Sequence, residues 1–165
     1  MKWIKAISSG LVGIIGAVAV YELAVLWGVA PFNIAPLAAF MLRLGMEVGA
    51  AAFFVHLIYG MLWALVLVWI FDTNLSILKG LGLSVFLWLI NGFVYAPYIG
   101  WGVFGFTGTP ELAEAHQLYL RPGPWLASIT LIYYLVYGAI VGWVTSNWIK
   151  SEADVAGQIR MHRED

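Results

Sequence analysis

Residues 80–105 read GLGLSVFLWLINGFVYAPYIGWGVFG and contain no charged side chain. A stretch this long and apolar is typical of a helix that crosses a lipid bilayer, which needs roughly 20 mostly apolar residues. The chain holds three further stretches of the same kind, at about residues 6–30, 48–71 and 124–149. The sequence therefore predicts four membrane-spanning helices.

Composition supports this interpretation. Of the 165 residues, 62% are hydrophobic and only 10% are charged, whereas soluble domains have about 45–50% and 25%. So little polar surface excludes a soluble enzyme, a nucleic-acid-binding protein and a disordered chain. The net charge of −1 offers nucleic acid no attraction. Without cysteine, disulfides and thiolate metal sites are excluded as well.

The basic residues predict an orientation. Four spans place both termini and the middle loop on one side of the membrane. That side holds six basic residues and the other side two, so the positive-inside rule predicts that both termini lie in the cytoplasm. The six are Lys2, Lys5, Lys79, Lys150, Arg160 and Arg163, and the two are Arg43 and Arg121.

The chain matches itself at an offset of 74 residues. Residues 5–69 align without gaps on residues 79–143, with 15 identities in 65 positions that include a Trp-Gly-Val and a Leu-Ile-Tyr triplet. Self-similarity at a fixed spacing is the mark of a repeat. Because each copy holds two spans, the copies should enter the membrane in the same direction, as parallel repeats.

The two outer loops extend the match. Pro36 and Thr109-Pro110-Glu111 are helix-start signals, and apolar residues follow each at helical spacing. We expect a short interfacial helix in each loop. The predicted fold is an all-α membrane four-helix bundle of two tandem parallel repeats, each span–interfacial helix–span. It forms one domain over residues 1–165, with repeats at about 5–73 and 79–149 and a cytoplasmic tail at 150–165.

Small residues predict where helices pack closely. Glycine lets helix backbones approach in membranes, most clearly as G-x-x-x-G. We expect packing, within the chain or against a partner, at Gly10, Gly13, Gly16, Gly45, Gly49, Gly138 and Gly142. Near the end of the third span, Pro97, Gly100 and Gly102 predict a kink or hinge.

Two ionisable residues lie within the spans, where polar groups are costly and suggest function. Glu22 and His56 should lie about 12 Å below the outer surface, at 1.5 Å per residue, on adjacent helices. They predict a buried polar layer that also contains Tyr21, Tyr59, Tyr95, Thr130 and Tyr133, with Asn91 deeper. The layer could specify packing, relay protons, or contact a ligand or cofactor.

Cofactor and catalytic signals are sparse. A haem held by two histidines of this chain is disfavoured because His56 alone lies at membrane depth, although haem or quinone contact at His56 stays open. Glu114 and His116 have a spacing that suits a solvated helix face better than a metal site. No catalytic motif appears, so we predict neither a metal site nor an enzyme.

A weak family resemblance adds to this. His56-x-x-x-Gly60 and Pro97-x-x-Gly100-x-Gly102-x-Phe104-Gly105 resemble uncharacterised prokaryotic four-span inner-membrane proteins, YagU-like and relatives. The resemblance implies a four-helix inner-membrane protein without an assigned chemistry. We expect an accessory subunit that packs in a larger respiratory or photosynthetic membrane complex and contacts lipid. The alternatives are a homodimeric transporter or proton conductor using Glu22 and His56, and a redox subunit with haem or quinone at His56.

Overall fold

The computed structural model describes residues 2–164, with side chains for residues 2–149. It is helical, and four of its helices are long and apolar enough to cross a membrane. These four segments are Lys2–Leu26, Ala50–Phe71, Ile77–Ile99 and Trp125–Ile149. The prediction of four long apolar helices is thus confirmed, with ends that differ from the predicted ones by a few residues.

The chain order of the elements places one short helix between the first two long ones. In order they are α1 (Lys2–Leu26), α2 (Pro36–Arg43), α3 (Ala50–Phe71), α4 (Ile77–Ile90), a π-helical turn (Asn91–Tyr95), α5 (Ala96–Ile99), a 3-10 turn (Val103–Gly105) and α6 (Trp125–Glu164).

Helices α1 and α6 form the centre of the bundle. Helix α1 packs against α3 and α6, and α6 packs against α4 as well, whereas few Cα atoms of α3 and α4 come within 8 Å of each other. Glycines explain the close pairs. A Cβ atom at Gly10 would lie 2.7 Å from the carbonyl oxygen of Gly60, and one at Gly13 would collide with Val141.

The pair α4–α6 uses equivalent positions. Ser84 donates a hydrogen bond to the carbonyl oxygen of Tyr134, at 2.5 Å, and its hydroxyl oxygen lies against Gly138. Ser84, Tyr134 and Gly138 each lie 74 residues after Gly10, Gly60 and Ala64, which form the contact between α1 and α3. In both hairpins, therefore, the two helices come into contact at corresponding positions.

The two interfaces between the hairpins are not equivalent, because α1 packs closely on α6 whereas α3 and α4 stay apart. Gly13 and Gly16 bring α1 close to side chains of α6, but the residues 74 positions later are the larger Leu87 and Ile90. Between α3 and α4 the space is bridged by aromatic rings instead, with the centroids of Trp63 and Phe86 6.1 Å apart. At these two positions α4 therefore lacks the glycines that let α1 approach a neighbouring helix.

Two of the predicted packing glycines make no contact with another helix of the described chain, and packing of either against a partner stays a prediction. Gly45 follows α2 with a φ of 76°, and Gly49 is the residue before α3. A Cβ atom at either would meet nothing within 4 Å. They belong to the turn between the helices, where Gly45 supplies a left-handed backbone conformation. The other five, Gly10, Gly13, Gly16, Gly138 and Gly142, lie against neighbouring helices.

The third span is irregular where Pro97 predicts a kink. The helix does not break at Ala96; it widens into the π-helical turn one turn earlier and continues to Ile99. Proline lacks the N–H that the preceding turn would bond, so that turn must adjust. Gly100 ends the helix with a φ of 97°, and Gly102 has a φ of 74°. A hinge motion there stays a prediction.

The first outer loop forms the expected helix, α2, with Pro36 in its first turn. The expected helix in the second loop is wrong, since residues 109–119 form turns. Thr109 does not cap a helix; its hydroxyl accepts a hydrogen bond from the Leu120 N–H at 2.8 Å. The indole of Trp101, fully buried, donates to the Leu118 carbonyl oxygen at 2.9 Å. These tertiary bonds outweigh the marginal stability of so short a helix.

The glycine contacts predict that alanine substitutions at two neighbouring positions on α4 have very different effects on the free energy of unfolding. Gly80→Ala should lower the free energy of unfolding by about 1–3 kcal/mol, because its Cβ would clash with the backbone of Gly138 and Gly142. Gly82→Ala, which meets nothing within 4 Å, should change it little or raise it by about 0.5 kcal/mol. Unfolding in mixed micelles titrated with dodecyl sulfate measures both; equal effects would contradict the packing described.

Candidate functional site

A small polar cavity lies between the four long helices, in the half of the bundle nearer to α2. Its volume is about 20 Å³, enough for roughly one water molecule. All five tyrosine and histidine residues predicted for the polar layer line this cavity, and together they come from all four long helices. The lining residues are Tyr21, Pro36, Leu37, His56, Tyr59, Asn91, Tyr95, Tyr133 and Tyr134.

The shortest polar contact in the cavity joins α3 to α6. The Nε2 atom of His56 lies 2.5 Å from the hydroxyl of Tyr133, and the two share a hydrogen bond. Tyr21 of α1 stacks on the Tyr133 ring, with centroids 4.2 Å apart and planes 7° from parallel. Tyr134 meets the same ring edge-on at 5.1 Å. Tyr133 is thus held from three sides, which fixes its hydroxyl toward His56.

The hydroxyl of Tyr59 differs from that of Tyr133 in its hydrogen bonding. Its hydroxyl is buried and has no hydrogen-bond partner within the described residues, and the same holds for the indole N–H of Trp63. The hydroxyls of Tyr95 and Tyr134 lie near that of Tyr59, but not in hydrogen-bonding geometry. An unmet hydroxyl beside a cavity of one-water size is the arrangement that a buried water satisfies.

Glu22 lies outside this cluster. It is exposed and makes no hydrogen bond to His56, which bonds Tyr133 instead. Both residues nevertheless line one groove of about 150 Å³ on the bundle surface, together with Tyr21 and Phe53. His56 is therefore shared between a surface groove and the inner cavity.

Thr130 is buried but takes no part in the cavity. Its hydroxyl donates to the carbonyl oxygen of Leu126, one turn earlier in its own helix, at 2.7 Å. Threonine in a membrane helix commonly satisfies itself in this way. We predicted Thr130 in the polar layer because of its depth along the helix. Its side chain bonds its own helix instead, and so it does not line the cavity.

Tyr134 and Tyr137 belong to the buried aromatic cluster but were not predicted. Tyr137 donates a hydrogen bond to the Gly60 carbonyl oxygen. The signal was available, because Tyr137 follows Tyr133 by four residues and so lies on the same helix face. Asn91, expected below the layer, lines the cavity. Pro36 and Leu37, which we interpreted only as a helix start, form its outer wall.

The side chains that line the cavity offer few kinds of functional group. They offer hydroxyls, one imidazole and one amide, with no carboxylate or cation in the lining. Nowhere among the described residues do three or more histidine, aspartate or glutamate side chains lie together as they would to hold a metal ion. The volume of about 20 Å³ is far below the 300–1,000 Å³ of a typical ligand site. The arrangement suits a fixed, hydrated polar contact between helices.

Comparison of the chain with protein-family models, with curated proteins and with solved structures finds no match. The resemblance of the His56 and Pro97 motifs to YagU-like proteins therefore stays a prediction from the sequence. The function has to be argued from the geometry of this chain.

The cluster predicts different results for two tyrosine hydroxyls. Tyr133→Phe removes the bond to His56 and should lower the free energy of unfolding by about 1 kcal/mol. Tyr59→Phe removes a hydroxyl without a partner in the described residues and should leave the stability unchanged or raise it. The same detergent unfolding assay compares them, and a larger loss for Tyr59→Phe would show that its hydroxyl is bonded after all.

Proposed function

We propose that this chain is a non-enzymatic integral membrane subunit that packs against other membrane proteins and lipid. The observation that carries the proposal is its apolar exterior. Large hydrophobic side chains cover the outward faces of all four long helices, among them Leu26, Trp69 and Leu78, each at least 74% exposed. Exposed apolar surface of this extent marks a membrane or protein contact.

The transporter alternative has less support. Its strongest feature is the groove that Glu22 and His56 share. Below the tyrosine cluster, however, the buried polar side chains Ser9 and Thr145 bond carbonyl oxygens of their own helices. Tyr137, one turn beyond Tyr133, donates to the Gly60 carbonyl oxygen, and within the described residues no buried histidine or carboxylate continues the path toward the other side. A redox role for His56 also has little room, since haem ligation through Nε2 would have to displace Tyr133.

A tandem duplication is part of the proposal. Its support is that Gly10, Gly60 and Ala64 in the first hairpin and Ser84, Tyr134 and Gly138 in the second form corresponding contacts 74 residues apart. The short outer helix is not duplicated, since the second loop folds around Trp101. An ancestral hairpin that was copied, with later divergence of the second loop, accounts for both facts.

We propose cytoplasmic termini as well, in a prokaryotic inner membrane. The ion pair between Lys2 and Asp72 and the bond from Lys5 to the Trp148 carbonyl oxygen join the start of α1, the α3–α4 turn and α6 at one end. Lys79 belongs to that end too. Arg43, which donates to the Ile99 carbonyl oxygen at 2.7 Å, and Arg121 belong to the opposite end. Lys150, Arg160 and Arg163 lie outside the residues with described side chains.

The absence of cysteine makes the orientation testable. Single cysteines replace exposed residues at the two ends, as Glu114→Cys and Thr73→Cys. In intact cells a membrane-impermeant maleimide should label Glu114→Cys and should label Thr73→Cys only after the cells are opened. The opposite pattern would reverse the orientation, and equal labelling would contradict membrane insertion.

The subunit assignment is tested on native membranes. The full chain, tagged and extracted in a mild detergent, should migrate in a complex well above the 18.2 kDa of the chain and co-purify with constant partners. Migration as a free chain or small homo-oligomer would contradict it. Proteoliposomes of the purified chain provide the second measurement. Proton flux above the lipid background that is lost in Glu22→Gln and His56→Ala would support the transporter instead.

A further inference from the structure

The gap between α3 and α4 opens outward as a groove of about 510 Å³, within the size range of ligand sites. It lies in the half of the bundle opposite to the tyrosine cavity, next to the α3–α4 turn. Six of its seven lining residues are apolar or glycine, and the seventh is Lys79 at its end. The lining residues are Leu67, Ile70, Phe71, Lys79, Gly82, Leu83 and Phe86.

The groove exists because α3 and α4 do not pack closely on each other, as α1 and α6 do. Glycines bring α1 against α6, but Leu87 and Ile90 occupy the corresponding positions in α4. Rings of Trp63 and Phe86 fill the gap at mid-height. Below them no side chain among the described residues fills it, and a Cβ atom at Gly82 would meet nothing of the neighbouring helices within 4 Å.

Lys79 carries the charge at this site. Its ammonium group donates to the Asn74 carbonyl oxygen and lies 4.7 Å from the centre of the Phe71 ring. Among the described residues the one ion pair is between Lys2 and Asp72, so no described carboxylate neutralises Lys79. A lysine in this position extends its apolar stem along the groove and presents its charge at the membrane surface.

We propose that this groove binds one anionic phospholipid of the adjacent leaflet, with an acyl chain between α3 and α4 and its phosphate on Lys79. The apolar walls bury methylene groups, each contributing to affinity. The uncompensated ammonium selects a negative headgroup. The proposal rests on the membrane insertion proposed above, and it holds with or without a partner complex.

The test uses the full chain in detergent, with insertion of the same preparation verified by the cysteine labelling above. Native mass spectrometry compares dioleoyl phosphatidylglycerol with dioleoyl phosphatidylcholine, which share acyl chains and differ in headgroup charge. We expect one tightly retained phosphatidylglycerol. Lys79→Gln should weaken its binding about five-fold, the effect of one lysine on an anionic lipid, and leave phosphatidylcholine unchanged. Lys5→Gln, at the matching repeat position outside the groove, should have a much smaller effect.

A second variant fills the groove without disturbing the fold. A Cβ atom at Gly82 meets nothing within 4 Å, so Gly82→Leu should extend its side chain into the groove and weaken binding of both lipids, while Val12→Leu on the exposed face of α1 should not. Equal losses in Lys5→Gln and Lys79→Gln, or unchanged binding in Gly82→Leu, would overturn the proposal. So would failure to retain any lipid in a chain shown to insert.

Photolabelling locates the acyl chain. A phosphatidylglycerol with a diazirine in its acyl chain should label Ile70, Leu83 or Phe86 after illumination. Labelling confined to the outer groove around Trp27 and Ile132 would overturn the assignment. Crosslinks in native membranes from a photoreactive residue at position 82 to a protein, and not to lipid, would show that a partner helix occupies the groove.

Discussion

Close approach of helix backbones is the constraint on which this structure depends. Inside a membrane, association between helices gains little from the hydrophobic effect, because lipid is as apolar as the side chains it replaces. Contact must come from dispersion and from hydrogen bonds between the helices, such as that from the Ser84 hydroxyl to the Tyr134 carbonyl oxygen. The glycines at positions 10, 13, 80 and 138 permit that contact at three interfaces. Where they are missing, between α3 and α4, the helices stay apart.

The same constraint locates both sites. Toward the α2 side, the space left among the four helices is filled by tyrosine rings, and the bond between His56 and Tyr133 ties α3 to α6 across it. Toward the other side the described side chains leave the space between α3 and α4 open, as the groove that ends at Lys79. The polar contact inside the bundle and the apolar groove on its surface both result from the same difference in packing. Three helix pairs pack closely, and the pair α3–α4 does not.

The prediction of the site was partly successful for a physical reason. Depth in the membrane can be counted along a helix, so Tyr21, His56 and Tyr133 were expected at one level and do meet. Depth along a helix could not tell which residue forms the hydrogen bond with His56. Glu22 has the right depth but points outward, since the rotation of each helix is set by which glycine stripe packs against which neighbour.

The sequence by itself determined the four long helices, the short helix at Pro36 and most of the close-packing glycines, because apolar length and residue size act locally. Only the tertiary structure decided the second outer loop, where hydrogen bonds from Trp101 and Thr109 replace a predicted helix. It also decided which interface stays open. Each depends on residues far apart in the chain, and the free energy of such contacts exceeds the weak local preference for helix.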